Sequence, residues 1–276
     1  MQLNAIKDLY YIALSIILLF FKLAYENIRC KYELIKHHSE HFISAVFKSK
    51  NEQTLFSMRY VRRDIIQKEP RMDIKEFKKL PLMGILRGVD SSMISPLCEA
   101  IIRSGLKTIE ITMNTPGAPE LIRQMADAAQ GRLFVGAGTV LSMDDLHKAL
   151  DAGATFIVMP TLVRDVTEYC RKNNIPVFPG AFTPQEIYDA WRAGASMVKV
   201  FPIKFFGPSY LGEVKGPFQD IDLLACGGVS AENIKTYFSG RASAVSFGGS
   251  IFKKEWLEKE EFDRVQQAIY ELIQAC

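Results

Sequence analysis

The chain has 276 residues, 48% of them hydrophobic and 24% charged, with a formal net charge of +3. That is the composition of an ordinary globular protein with one large domain or two small ones. The charge is uneven: residues 1–71 hold 12 Lys/Arg against 7 Asp/Glu, which leaves the rest of the chain at −2, and a near-neutral body gives no reason to expect nucleic acid as a partner.

The cysteines, Cys30, Cys98, Cys170, Cys226 and Cys276, are odd in number and never spaced as CxxC. They point to reduced thiols in a cytoplasmic setting rather than a disulfide framework. All 18 glycines and 11 of the 12 prolines lie after residue 71, and three of the four histidines lie before it. The composition therefore predicts an N-terminal extension over 1–71 and a compact domain over 72–276.

Within the extension, "LYYIALSIILLFF" (9–21) is apolar and uncharged. It is shorter than the roughly 20 residues a spanning helix needs. Letting Lys22 snorkel carries the run only to Tyr25. No small-x-small cleavage site follows closely. Three readings stay open: an extension upstream of a true start at Met72 or Met58, a helical appendage or anchor, and a cleaved leader.

From Leu80 onward apolar or β-branched runs alternate with helical patterns. The strand candidates are "LMGILR" (82–87), "KTIEIT" (107–112), "RLFVGAG" (132–138), "TFIVMP" (155–160), "PVFPG" (176–180), "SMVKVF" (196–201), "DLLAC" (222–226) and "AVSFG" (244–248). Helical patterns cover 144–150 and 163–172. "TPQEIYDAWRAG" (183–194) has a Thr N-cap, Pro in the first turn, a Glu three residues on and a Gly stop, and "SAENIKTYFSG" (230–240) repeats the design with a Ser cap. Gly105, Gly153, Gly194 and Gly240 are expected to end helices. Continuously apolar strands suit a parallel sheet covered on both faces. Eight such βα units predict a (β/α)8 TIM barrel, with a doubly wound open sheet as the alternative.

In a barrel of this kind, polar groups at the C-terminal ends of strands carry the chemistry. The strands deliver Arg87, Glu110, Thr112 and Asn114, then Gly138-Thr139, Pro160-Thr161, Pro179-Gly180, Lys199, Gly227-Gly228 and Gly248-Gly249-Ser250. Lys199 and Glu110 are ionisable groups inside apolar strands. Their bland reading is a core salt bridge, which desolvation makes a weak source of stability. Their functional reading is an amine whose pKa burial lowers, able to attack a ketone as the free base, beside a carboxylate that moves protons. A protonated imine is its own electron sink, so no metal or other cofactor is called for. The body's one histidine, His147, falls on a helix surface.

The glycine pairs after the seventh and eighth strands let backbone N–H groups approach an anion, at the usual phosphate seat of this fold. Two tight turns without a ligand are the alternative. Lys204, in the loop after the sixth strand, contacts either phosphate or solvent, the solvated loop lysine being the favoured reading, and Lys215 is read as a helix-surface one. Phe201 and Phe206 either cover substrate or simply pack.

Taken together, "LPLMGILRG", "IEITMNTPGA", "VGAGTVL", "FIVMPTL", "FPGAFTPQEI", "VKVFP", "ACGGVSAENI" and "FGGSIF" resemble, in this order, the class I aldolases of the KDPG/KHG family. The resemblance spans Leu80 to Phe252. It implies a lyase in which Lys199 forms the Schiff base and Glu110 shuttles the proton. It places the keto-acid end of the substrate near Arg87, Thr139, Pro160, Asn114 and Phe201, and the phosphate at Gly227, Gly228, Gly248, Gly249 and Ser250. It also implies cleavage of a phosphorylated keto-deoxy sugar acid to pyruvate and glyceraldehyde 3-phosphate by a homotrimer. Two residues depart from the KDPG-type pattern: Asn114 stands in place of an arginine and Cys226 in place of a threonine. Asn114, "LPLMGILRG" and "FGPSYL" resemble the phosphogalactonate branch instead, so both sugar epimers stay open. A phosphate-binding isomerase or synthase, and a non-catalytic phosphosugar-binding protein, are the competing functions.

Overall fold

The computed structural model describes residues 71–276, so the extension and its apolar run at 9–21 lie outside the described residues. The chain begins with a short helix, α1 (Ile74–Phe77), capped by the Asp73 carboxylate, which accepts from the Lys75 N–H. Then strands and helices alternate: β1 (Leu82–Leu86), α2 (Ser91–Arg103), β2 (Thr108–Thr112), α3 (Ala118–Ala129), β3 (Phe134–Gly138), α4 (Met143–Asp151), β4 (Ile157–Val158), α5 (Arg164–Lys172), β5 (Val177–Phe178) and β6 (Gly180–Ala181). There follow α6 (Pro184–Ala193), β7 (Val198–Val200), a 3-10 turn (Ile203–Phe205), α7 (Ser209–Lys215), β8 (Leu223–Cys226), α8 (Ile234–Ser239), β9 (Ala244–Phe247), α9 (Lys254–Glu258) and α10 (Phe262–Gln274).

Every strand pair is parallel, and the order is β5-β4-β3-β2-β1-β9-β8-β7-β6. The two ends of this order, β5 and β6, are halves of the predicted fifth strand, split at Pro179. Proline has no N–H for a ladder. Its carbonyl still accepts from Lys199 N–H at 2.9 Å on β7, while Phe178 carbonyl accepts from Met159 N–H at 3.1 Å beside β4. The sheet thus closes through this strand into a (β/α)8 barrel, and the open-sheet alternative falls. The seventh and eighth strands of the sequence reading are β8 and β9.

Side chains alternate across each strand, and both faces are apolar. Ile109, Ile111, Val135, Ala137, Val198, Val200, Leu223 and Ala225 join a layer shared with the helices. Met83, Phe156, Val158, Phe178, Met197, Leu224 and Ala244 form a separate cluster that fills the barrel, together with Met72 and Phe77. Phe77 meets Phe178 edge-on at 5.8 Å, and Phe156 does so at 5.9 Å. Met72 N–H also donates to the Thr155 carbonyl, just ahead of β4, at 3.3 Å, so α1 plugs the N-terminal end and leaves the C-terminal end for chemistry.

Local expectations are met at α6, where Thr183 and Glu186 form a complete capping box and Gly194 takes a left-handed conformation. They are revised elsewhere. Helix α8 starts at Ile234, not after Ser230, because the Asn233 side chain accepts from Ser230 N–H at 2.9 Å and donates to Gly228 carbonyl at 2.8 Å, which holds a turn against the glycine loop. Gly240 ends α8 as expected, but the left-handed residue there is Arg241, at φ 72°. Gly240 is small for another reason: a Cβ there would collide with the Pro208 carbonyl. Lys215 is not a surface lysine. It is 7% exposed, and its ammonium donates to Gln219 carbonyl at 3.1 Å.

Candidate active site

β7 carries Lys199 into the barrel, and β2 carries Glu110 toward it from across the interior. Lys199 Nζ lies 3.9 Å from Glu110 Oε1, with 8% and 1% of the two side chains exposed. The ammonium also sits 5.5 Å from the Phe201 ring centroid, and Cys226, at the end of β8, acts on it. Glu110 Oε2 is buried with no hydrogen-bond partner. A buried carboxylate oxygen left unpaired is costly. It is free to accept a hydrogen bond from a group brought into the barrel.

Glycines on the neighbouring strands make this room. Glu110 is in register with Gly136 on β3 and Ile85 on β1. A Cβ on Gly136 would run into the Phe156 ring, and one on Gly138 would stand 2.7 Å from the Glu110 carboxyl carbon. Gly180 lets the Pro160–Thr161 backbone approach where a Cβ would collide with it. "VGAG" therefore reads, in hindsight, as a G-x-G signal of two small residues on one inward face.

Burial, the largest influence, pushes the Glu110 carboxyl up from its ordinary value, against the pull of Lys199 and Arg87. For Lys199, burial again is the largest single influence and favours the free amine. Cys226 and Glu110 together outweigh it, with Arg87 on the side of burial, and the balance lies above the ordinary lysine value. This corrects the expectation of a lowered pKa. The lysine attacks a carbonyl as the free amine, and Glu110, 3.9 Å away, is the acid–base group placed beside it.

Arg87 follows β1 and is exposed, yet its charge reaches both members of the pair. Its neighbour Gly88 donates to Thr115 Oγ1 at 3.0 Å, which ties the first βα loop to the second. Asn114 is exposed in that second loop, and Pro160 is half-buried after β4. Thr139, just past β3, has φ 55°. For a β-branched residue this is a strained conformation of the kind that collects at functional sites. His147 is half-buried on α4 against Tyr169. Among the described residues, no three His, Cys, Asp or Glu side chains gather as metal ligands.

The two glycine loops meet. Ser250 hydroxyl donates to Val229 carbonyl at 2.6 Å. Among the described residues, no carbonyl takes the N–H of Gly228, Gly249 or Ser250. Gly227 and Gly228 have φ 104° and 81°. Successive free N–H groups on such backbone make an anion cradle. Gly248 instead packs against Ile85.

Comparison with known proteins fits this geometry. Residues 74–268 match the family described as "Aldolase: KDPG and KHG aldolase". The chain is 31% identical over 176 residues to the 2-dehydro-3-deoxy-6-phosphogalactonate aldolase of Escherichia coli K12, which covers 63% of this chain and 86% of that protein. It is 29% identical over 218 residues to the 2-dehydro-3-deoxy-phosphogluconate aldolase of Haemophilus influenzae, covering 78% and 98%. The solved native KDPGal structure superposes with a TM-score of 0.68 at 28% identity, covering 74% of this chain and 96% of that one. A buried lysine and glutamate facing one another in a closed barrel, and a family match over most of the chain, lead to one conclusion: the protein belongs to the KDPG and KHG aldolase family and is a class I aldolase.

Proposed function

We propose that this aldolase cleaves a 2-keto-3-deoxy-6-phospho sugar acid to pyruvate and glyceraldehyde 3-phosphate, with Lys199 as the Schiff-base lysine and Glu110 as its acid–base partner. The 3.9 Å approach of these two buried side chains carries the reading. Lys199 gives up its proton, adds to the C2 carbonyl carbon and expels water, leaving a protonated imine. Glu110 takes the proton of the C4 hydroxyl as the C3–C4 bond breaks. The bonding electrons move into the imine to give an enamine, and the aldehyde leaves. Glu110 then returns the proton to C3, and water releases pyruvate from Lys199.

Arg87 and Thr139, with Asn114, Pro160 and Phe201 around them, surround the keto-acid end. The N–H groups of Gly228, Gly249 and Ser250 receive the phosphate, with Gly227 and Gly248 shaping the two loops. The catalytic domain runs from 72 to 276. The enzyme works in the cytoplasm as a homotrimer, in keeping with its scattered cysteines and its family.

Incubation with pyruvate and borohydride, followed by peptide mass spectrometry, is expected to add a reduced pyruvate unit to the peptide holding Lys199. An unmodified peptide would reject the assignment. Pyruvate release coupled to lactate dehydrogenase then compares the phosphogluconate and phosphogalactonate keto-deoxy acids.

A further inference from the structure

We propose that Lys204 supplies the fixed positive charge that holds the substrate's phosphate, and so sets the preference for phosphorylated keto acids. The inference rests on the phosphate assignment made above. The cradle of Gly228, Gly249 and Ser250 N–H groups offers only partial charges, whereas a phosphate monoester carries about −1.5 to −2 at neutral pH. Such a site gains much from a full countercharge.

Three observations single out Lys204. First, the 3-10 turn that bears it packs directly on the glycine loop. A Cβ on Gly228 would stand 2.9 Å from Lys204 Cβ and 3.8 Å from its Cδ, and one on Gly227 would stand 3.5 Å from Pro202 Cα. The absence of a side chain at Gly228 lets the lysine stem lie along the backbone whose N–H is free. From there a flexible stem brings its ammonium to any anion in the cradle. Second, Lys204 forms no ion pair among the described residues. Its ammonium rests 5.1 Å from the ring centroid of Phe205, which is 70% exposed. A contact of that kind is weak at an exposed site, so little is lost when the lysine turns to a phosphate. Third, two other cations after neighbouring strands have contacts or fields of their own. Lys253 lies 4.3 Å from the Trp256 ring centroid and its charge is felt by Glu232, while Arg87 acts on Glu110 and Lys199.

The test uses the full chain with Lys204→Gln and Lys204→Arg. Three quantities are read: KM and kcat for the phosphorylated keto-deoxy acid, competitive inhibition by inorganic phosphate, and exchange of the pyruvate methyl protons in D2O by NMR. The exchange needs the imine but no phosphate. Lys204→Gln is expected to raise KM and the phosphate inhibition constant about tenfold relative to any change in exchange, the size of one exposed charge-assisted contact. Lys204→Arg is expected to restore both. Unchanged KM and inhibition in Lys204→Gln would overturn the proposal, because the backbone cradle would then suffice. A parallel fall in exchange would overturn it too, because the lysine would then be supporting the barrel. A wild-type enzyme that exchanges pyruvate protons yet cleaves neither phosphorylated epimer would instead overturn the substrate reading, and this proposal with it.

Discussion

Gly138 faces the carboxyl group of Glu110 with no space between them: a Cβ at 138 would sit 2.7 Å from both the carboxyl carbon and Oε1. The glycine is on β3 and the acid on the adjoining β2, so the position of a proton-carrying group is set by the smallness of a residue on the next strand.

Gly138→Ala is therefore expected to displace Glu110 from Lys199 and to cut kcat at least tenfold, while costing about 1–3 kcal/mol of stability. Gly136→Ala, whose Cβ would strike Phe156 instead, is expected to cost similar stability with a smaller loss of kcat per folded molecule. Melting curves alongside steady-state kinetics separate the two. Equal kinetic losses in both variants would refute the idea that Gly138 acts on the carboxylate.

The buried pair makes a second prediction. Glu110→Gln keeps volume and shape but cannot accept a proton, so turnover is expected to fall by about 10²–10⁴. Borohydride trapping of pyruvate on Lys199 should persist. Lys199→Met is expected to abolish trapping and to lower the melting temperature, since it leaves Glu110 buried without its countercharge. Trapping that survives in Lys199→Met would place the imine on another lysine.

The barrel was legible because its strands are buried on both faces and read as unbroken apolar runs. In that setting Lys199 and Glu110 stood out as the ionisable exceptions. What escaped the sequence depends on other strands. Lys199's direction of titration is set by Cys226 and Arg87 as well as Glu110, three residues brought together only by closure. Lys215 carries a surface residue's chemistry, yet the chain after it returns a carbonyl to its ammonium. Gly240 does end α8, as its place in the sequence indicates, but its smallness also serves Pro208, and the left-handed turn falls to Arg241. Gly136 and Gly138 were visible as letters but not as spacers, because the side chains they spare come from β4 and β2.

Away from the site, the capping box of α6 gives a stability prediction. Thr183→Ala is expected to cost about 1 kcal/mol, read as a lower Tm at neutral pH. Backbone hydrogen bonds from Thr183 and Phe182 hold the Glu186 carboxyl below its ordinary value of 4.5. A depressed carboxyl contributes stability that is present above its unfolded pKa and lost as pH falls through its folded one. The penalty of Glu186→Gln should therefore shrink on acidification below 4.5, and a penalty independent of pH would contradict this.

The last prediction concerns the sulfur beside the lysine. Burial favours the free amine of Lys199, but Cys226 and Glu110 together hold its pKa above the ordinary value, and Arg87 opposes them. A raised lysine pKa delays the free amine to higher pH. Cys226→Ala removes one of the raising influences, so the pH at which pyruvate becomes trapped on Lys199 should move down. Arg87→Gln removes a lowering influence, so the same midpoint should move up. Trapping yields measured across a pH series on folded protein, checked by melting temperature, give both midpoints. Opposite displacements would establish that side chains on β8 and after β1 tune the amine on β7. Midpoints that stay together would mean that burial alone governs it.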